Sequence, residues 1–334
     1  MGQPLLAAVS LTMVAGLMSG TCMLPMKFVR SWKWENLWLI FSLVSLVIIP
    51  WMLAIGLVDM LFETYRALSF RQLAVPMLFG AGWGVAQILF GISVKRLGLG
   101  IAYAIIVGLG AVLGTLVPLF AQQRATANDH AMHLIICGVA VMVIGISLTT
   151  WGGQIKDRAT SQSVSHRSYP AAILVAVLCG LMAPMLNYSF AFGQDIAQTA
   201  VRLGNQPVHS AYAVWPIGLA GGFLPNAAYS LWLLFKNRTW PLFRRAPLDL
   251  LWSCLMGILW MGAFALYGMS ASLLGALGTS VGWGLLQIFM IMTATLAGAM
   301  TGEWQQASRS AKLLLGSGMA SLTVAIVLLA IGSL

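Results

Sequence analysis

The chain reads as an all-α integral membrane protein, with ten transmembrane helices arranged as two inverted five-helix repeats. Three observations predict this. Of its 334 residues, 60% are hydrophobic and only 8% are charged, whereas a soluble domain carries roughly 25% charged residues. The apolar residues gather into ten runs, each near the roughly 20 residues a membrane-spanning helix needs; the alternating segments of about 10 residues that mark a closed barrel are absent. Finally, the sequence echoes itself. Ala15-Gly16-Leu17-Met18 returns as Cys179-Gly180-Leu181-Met182, displaced by 164 positions. Phe90-Gly91 and Leu97-Gly98 return as Tyr267-Gly268 and Leu274-Gly275, displaced by 177. A unit with an odd number of spans must be inverted in its second copy, an architecture of secondary transporters with a midplane site between the halves.

The expected spans are 3–25, 36–57, 72–94, 98–121, 131–151, 169–192, 209–235, 247–270, 275–300 and 311–333. The first lacks a basic leader and a small-residue cleavage site, so it reads as a retained helix and not a signal peptide. Pro25 there, Pro184 in the sixth, and Pro216 and Pro225 in the seventh should bend their helices. The third carries Trp83 and Gln87 and runs through a basic hinge, Lys95-Arg96-Leu97-Gly98-Leu99-Gly100, into the fourth with Tyr103. Gly110-x-x-x-Gly114 and Gly218-x-x-x-Gly222 should permit close helix approach. The fifth and tenth carry few polar groups and read as peripheral, facing lipid or a partner. The longest connection, polar around Ser161–Ser165, separates a first repeat (1–151) from a second (169–334) through a linker at 152–168.

Charge sets orientation. Fourteen Lys and Arg fall in loops after odd-numbered helices and four on the opposite side. The positive-inside rule then puts both termini outside, in the periplasm of a bacterial inner membrane, and the linker in the cytoplasm. The net charge of +10 therefore belongs to helix ends beside the bilayer and not to a nucleic-acid partner. Cys22, Cys137, Cys179 and Cys254 lie inside spans without metal-site spacing.

No phosphate loop, serine-nucleophile elbow or metal-ligand cluster appears, so an enzyme is not expected, and neither is a cofactor. None of the eight acidic residues lies well inside a span, which argues against a cation exporter built on a buried carboxylate. If a proton is coupled, Asp195, His209 or Glu303 would carry it from a helix end. Neutral polar and aromatic residues are the better signal, because a sugar needs amides and hydroxyls for its hydroxyls and an aromatic face for its C–H surface. The mid-span candidates of the first half are Thr21, Trp83, Gln87 and Tyr103. Those of the second half are Asn187, Tyr188, Trp215, Asn226, Trp260, Tyr267, Thr279, Ser280, Trp283 and Gln287. Each alone could serve helix packing; together they read as a cavity lining. Gln87 and Asn187 stand out, since an amide at membrane depth is costly without a partner or a wet cavity.

The order of several short motifs carries a resemblance. They are Pro25-Met26-Lys27, Trp32-Lys33-Trp34-Glu35, Phe79-Gly80-Ala81-Gly82-Trp83-Gly84, Arg96-Leu97-Gly98, Gly114-Thr115-Leu116, Ala176-Val177 with Cys179-Gly180, Gly221-Gly222 with Asn226, Trp260 with Tyr267, Trp283, and Glu303-Trp304. With these, nearly end to end, the chain resembles the L-rhamnose–proton symporter family of the drug/metabolite transporter superfamily. The resemblance implies inverted five-helix repeats, with helices 1–4 and 6–9 around the cavity and 5 and 10 outside. It also implies uptake of a 6-deoxyhexose with a proton, by a monomer or homodimer. The family's Tyr-Asp-Tyr run in helix 9 is Gly278-Thr279-Ser280 here, its two amides and tyrosine in helix 3 are Gln87, Leu89 and Phe90, and a glutamine in helix 8 is Ala263. This apolar drift keeps an alternative open: an uncoupled facilitator, or an exporter of a less polar metabolite.

Overall fold

A computed structural model describes residues 2–97, 99–123, 128–158 and 169–333. Ten helices are long and apolar enough to cross a membrane: α1 Leu5–Phe28, α2 Trp34–Leu57, α3 Phe70–Val94, α4 Ile101–Ala121, α5 Asp129–Lys156, α6 Pro170–Arg202, α7 Pro207–Asn237, α8 Pro247–Leu273, α9 Gly275–Met300 and α10 Arg309–Gly332. No strand occurs among the described residues. The chain is a multi-pass membrane protein. Residues 159–168 of the expected linker, Gly98 of the basic hinge and Arg124 lie outside the described residues.

The prolines act locally. In α1 the α-helix stops at Thr21, and Pro25 opens a tight turn over Leu24–Phe28. In α6 the break falls at mid-span, between Met182 and Met185, where Pro184 supplies no N–H. The two prolines therefore sit at different depths. Pro216 and Pro225 lie inside an unbroken α7. A widened turn at Val44–Ile48 immediately precedes Pro50 in α2, absorbing the bond that proline cannot make.

Two helices run longer than their apolar runs predict. The α5 helix passes through Gly152 to Arg158, into the expected linker. Gly152 has the α10 backbone against it, with Ala311 O 2.9 Å from where a Cβ would stand. The α6 helix continues past Gly193 as Gln194–Arg202, an amphipathic segment with Ile196, Ala197 and Ala200 buried and Asp195 and Gln198 exposed. Hydropathy alone ends the span at 192 because half of this turn faces a cavity.

Packing closes the helices into a ring. α1 packs on α8 and α9, α9 on α4, α4 on α6, α6 on α3, α3 on α7, and α7 on α8. α2 lies outside on α7 and α8. α5 and α10 pack chiefly on each other and flank α4 and α9. Their outward faces expose Ile144, Trp151, Leu313 and Val327, as lipid-facing helices do.

Between α3 and α7 the approach is backbone to backbone. A Cβ on Gly80 would stand 1.8 Å from Gly218 O, and one on Gly84 2.5 Å from Gly222 O. The Gly218/Gly222 pair thus serves close helix approach, as its spacing predicts. Gly110 and Gly114 do something else. A Cβ on Gly114 would stand 2.1 Å from Trp283 Nε1, and that indole donates to Gly110 O at 3.2 Å. Gly114 makes room for a tryptophan ring, while a Cβ on Gly110 would meet only Ala183 of α6 at 3.5 Å.

Candidate functional site

The candidates separate into three places. At the first, polar groups of α4, α6, α8 and α9 satisfy one another. Asn187 is fully buried and donates to Gly114 O and Thr279 O, both at 2.8 Å. Tyr267, also fully buried, donates to Asn187 Oδ1 at 2.5 Å. Tyr188 donates to Leu113 O at 3.0 Å, and Trp283 to Gly110 O. Every hydrogen-bonding atom of the Asn187 amide is occupied by protein. The break at Pro184 explains its reach: the helix restarts at Met185 and turns Asn187 toward the α4 and α9 backbones.

The second place is an aromatic layer at mid-span. Trp83 of α3 stacks on Trp260 of α8 with centroids 5.3 Å apart and planes 26° apart. Phe264 lies 4.3 Å from Trp260, and Phe41 meets it edge-on at 6.3 Å. Gln87 follows Trp83 by four residues on α3, and Gln287 follows Trp283 by four on α9, so each amide shares a helix face with its tryptophan. Neither the Trp83 nor the Trp260 N–H, nor the side-chain amide of Gln87 or Gln287, has a hydrogen-bond partner among the described residues; none is wholly enclosed. Unpaired amides and indoles at membrane depth need a wet space or a polar ligand. No carboxylate is found at this depth among the described residues.

The third place is a cavity of about 630 Å³ at the end where α6 finishes and α9 begins. Thr279 and Asp195 line it, joined by Gln194, Gln198, Ser210 and Ser272, none of them singled out in the sequence. Asp195 Oδ2 accepts from Gln72 Nε2 at 2.9 Å. The inner wall carries Phe190, which stacks on Trp215 at 4.6 Å and leans on Tyr267 at 5.7 Å. Cavity and aromatic layer are thus separated by the Asn187–Tyr267 cluster. The signal for the missed residues was faint: polar positions at helical spacing, Gln194, Asp195, Gln198 and Arg202, after a glycine.

Other candidates fall away from these places. Asn226 accepts from Trp38 Nε1 at 2.9 Å and donates to Gly222 O at 2.8 Å, tying α2 to α7. Trp215 is buried, its N–H enclosed without a partner among the described residues. Thr21 bonds back to Leu17 O. Ser280 bonds back to Leu277 O. Tyr103 lines a smaller cavity of about 240 Å³ at the opposite end, with Thr149, Lys156, Glu303 and Trp304. Glu303 pairs with Lys27 at 3.0 Å and stands 3.9 Å from Lys156, which lies over the Trp304 ring. His209 is half-buried beside Tyr212.

At that same end two buried carboxylates tie connections together. Asp249, at the start of α8, accepts three backbone N–H groups of the α1–α2 turn: Arg30 at 3.1 Å, Ser31 at 2.8 Å and Trp32 at 2.9 Å. Glu35 accepts from Asn237 and Thr239, both at 2.9 Å. Trp32 and Asn36 donate to backbone carbonyls of Leu242 and Thr239. The α1–α2 and α7–α8 connections are bound together, while the cavity stands at the other end.

The family model described as L-rhamnose-proton symport protein (RhaT) matches residues 5–333. A protein of Klebsiella pneumoniae subsp. pneumoniae named L-rhamnose-proton symporter is 28% identical over 317 residues, covering 92% of each chain. Proteins of the same name from Escherichia coli (strain 55989 / EAEC) and Shigella boydii serotype 4 are 27% identical over 317 residues, again covering 92% of each. These relatives are named as transporters and not as enzymes. With a family model spanning nearly all of it, the chain belongs to the L-rhamnose-proton symport protein family.

Proposed function

We propose that this protein is a secondary transporter of a bacterial inner membrane that imports L-rhamnose, or a closely related small sugar, together with a proton. The observation that carries the reading is the mid-span layer: two stacked indoles and two amides that have no hydrogen-bond partner among the described residues and are not wholly enclosed. Trp83 and Trp260 offer faces to the C–H side of a sugar, and Gln87 and Gln287 pair its hydroxyls. Tyr267, Trp283, Asn187 and Tyr188 frame the layer from one side; Thr279 joins it to the cavity. Family membership and relatives named as rhamnose-proton symporters support substrate and coupling.

The repeats belong to the same proposal. Exchanging α1–α5 with α6–α10 turns the α1–α8 contact into α6–α3 and α1–α9 into α6–α4, and keeps α2–α7, α4–α9 and α5–α10. This pattern supports halves at 1–151 and 169–334. The basic loop bias supports termini in the periplasm; the 630 Å³ cavity then opens outward and the Asp249–Glu35 end is cytoplasmic. One chain supplies the whole ring, so a monomer suffices. With no carboxylate in the layer, coupling falls to a helix end: Asp195 in the open cavity, Glu303 at the opposite end, or His209.

Radiolabelled L-rhamnose uptake into proteoliposomes, with and without an inward proton gradient, tests the reading. Gradient-driven accumulation is expected. Equilibration without accumulation would make the protein a facilitator, and no flux would refute the substrate. An Asp195→Asn variant that keeps full gradient dependence removes Asp195 as the coupling group.

A further inference from the structure

The outer cavity is built in a way that transit alone does not require. Its volume of about 630 Å³ lies within the range of small-molecule sites, about 300–1,000 Å³. Its polar atoms are mostly acceptors. Gln72 occupies Asp195 Oδ2, leaving Oδ1 without a partner among the described residues. Gln194 donates its amide to Phe190 O, and its Oε1 has no partner among the described residues. Ser272 donates to Gly268 O and keeps its lone pairs. Gln198, exposed and one turn beyond Asp195, offers donors beside the carboxylate. Phe190 and Phe192 line the cavity with aromatic rings, each stacked on one side, on Trp215 and on Phe79. Acceptors for several hydroxyls beside an aromatic face suit a neutral polyol. Among the described lining residues Asp195 carries the single charge, and one carboxylate is a poor cage for a divalent cation.

The inner wall makes this space a separate site. To pass from Phe190 to Trp83 and Trp260, a ligand must displace the stack of Phe190 on Trp215 and the bonds that join Asn187 to Tyr267 and Thr279. We propose that the cavity is an outer monosaccharide-binding site, centred on Asp195, Gln198 and Phe192. It would hold the sugar before the Asn187–Tyr267 cluster opens. This rests on the sugar-transport reading above and adds a second site to it.

The test uses full-length protein in proteoliposomes with Cys137→Ser and Cys254→Ser, since those two thiols are not buried. Ser272→Cys then places a reporter on the cavity wall for a membrane-impermeant maleimide. L-Rhamnose is expected to protect Cys at 272 from labelling. Asp195→Ala and Gln198→Ala, both at exposed positions, should each raise the half-protecting concentration at least tenfold. Trp260→Phe should weaken transport while leaving that concentration within twofold, because its effect is confined to the inner layer. Rhamnose flux without protection at 272, or protection that follows Trp260→Phe and ignores Asp195→Ala, overturns the outer site alone. Absence of both flux and protection overturns the outer site and the transport reading together.

Discussion

The Asn187 cluster and the Trp83–Trp260 layer use the same kinds of side chain, one helical turn or two apart, to opposite ends. In the cluster, amide and phenol are closed on each other and on three backbone carbonyls. In the layer, two indoles and two amides, none wholly enclosed, have no hydrogen-bond partner among the described residues. An amide at membrane depth costs several kcal/mol when unsatisfied, so each arrangement implies its own remedy. The cluster is satisfied by protein, which fits residues of stability. In the proposed transport reading, the layer is where a ligand would be recognised. Type and depth of a residue are shared between the two; only its partners distinguish them.

Substitutions that separate transport from stability sharpen this contrast. The largest effect is expected from Trp260→Ala. Losing an anchoring aromatic ring should cut rhamnose uptake about 100-fold, a larger loss than its lost contacts with Trp83, Phe264 and Phe41 cost in thermal stability. A melting loss as large as the transport loss would reassign Trp260 to the core. Asn187→Leu should do the reverse. It removes three hydrogen bonds and leaves Tyr267 only a long contact to Thr279 O at 3.5 Å, at about 3 kcal/mol, read as lower thermal stability and poorer yield in detergent. Full stability in this variant would break the distinction outright. Gln87→Leu should raise the half-saturating rhamnose concentration about tenfold, the price of one unmatched sugar hydroxyl, at unchanged stability. Glu303→Gln should be the mildest in a melting experiment, less than about 1 kcal/mol, since its pair with Lys27 is half-exposed.

Much of the architecture is legible in the sequence because the bilayer leaves few options: an apolar run of the right length must be a helix. What hydropathy misses is any turn that faces an interior space. Gln194–Arg202 is helical and bounds the larger cavity, yet its polarity reads as loop. Site residues are legible by type and not by role. Asn187 and Gln87 look alike as isolated amides in apolar spans; one has three protein partners and the other none, and the difference arises from helix breaks and crossings that no local window contains. Glu35 and Asp249 show the complementary limit. Both stand at the ends of expected spans, and both are buried, because connections distant in sequence fold over them.

The bare contact between α3 and α7 constrains the gene as well as the fold. Any missense change in the Gly80 codon adds at least a Cβ. Each such allele puts an atom 1.8 Å from the Gly218 carbonyl oxygen. Gly218 cannot compensate by shrinking, since it is already the smallest residue. In a saturation-mutagenesis scan, Gly80 should therefore tolerate no missense allele, while Leu78, two residues away and exposed on the same helix, accepts most apolar replacements.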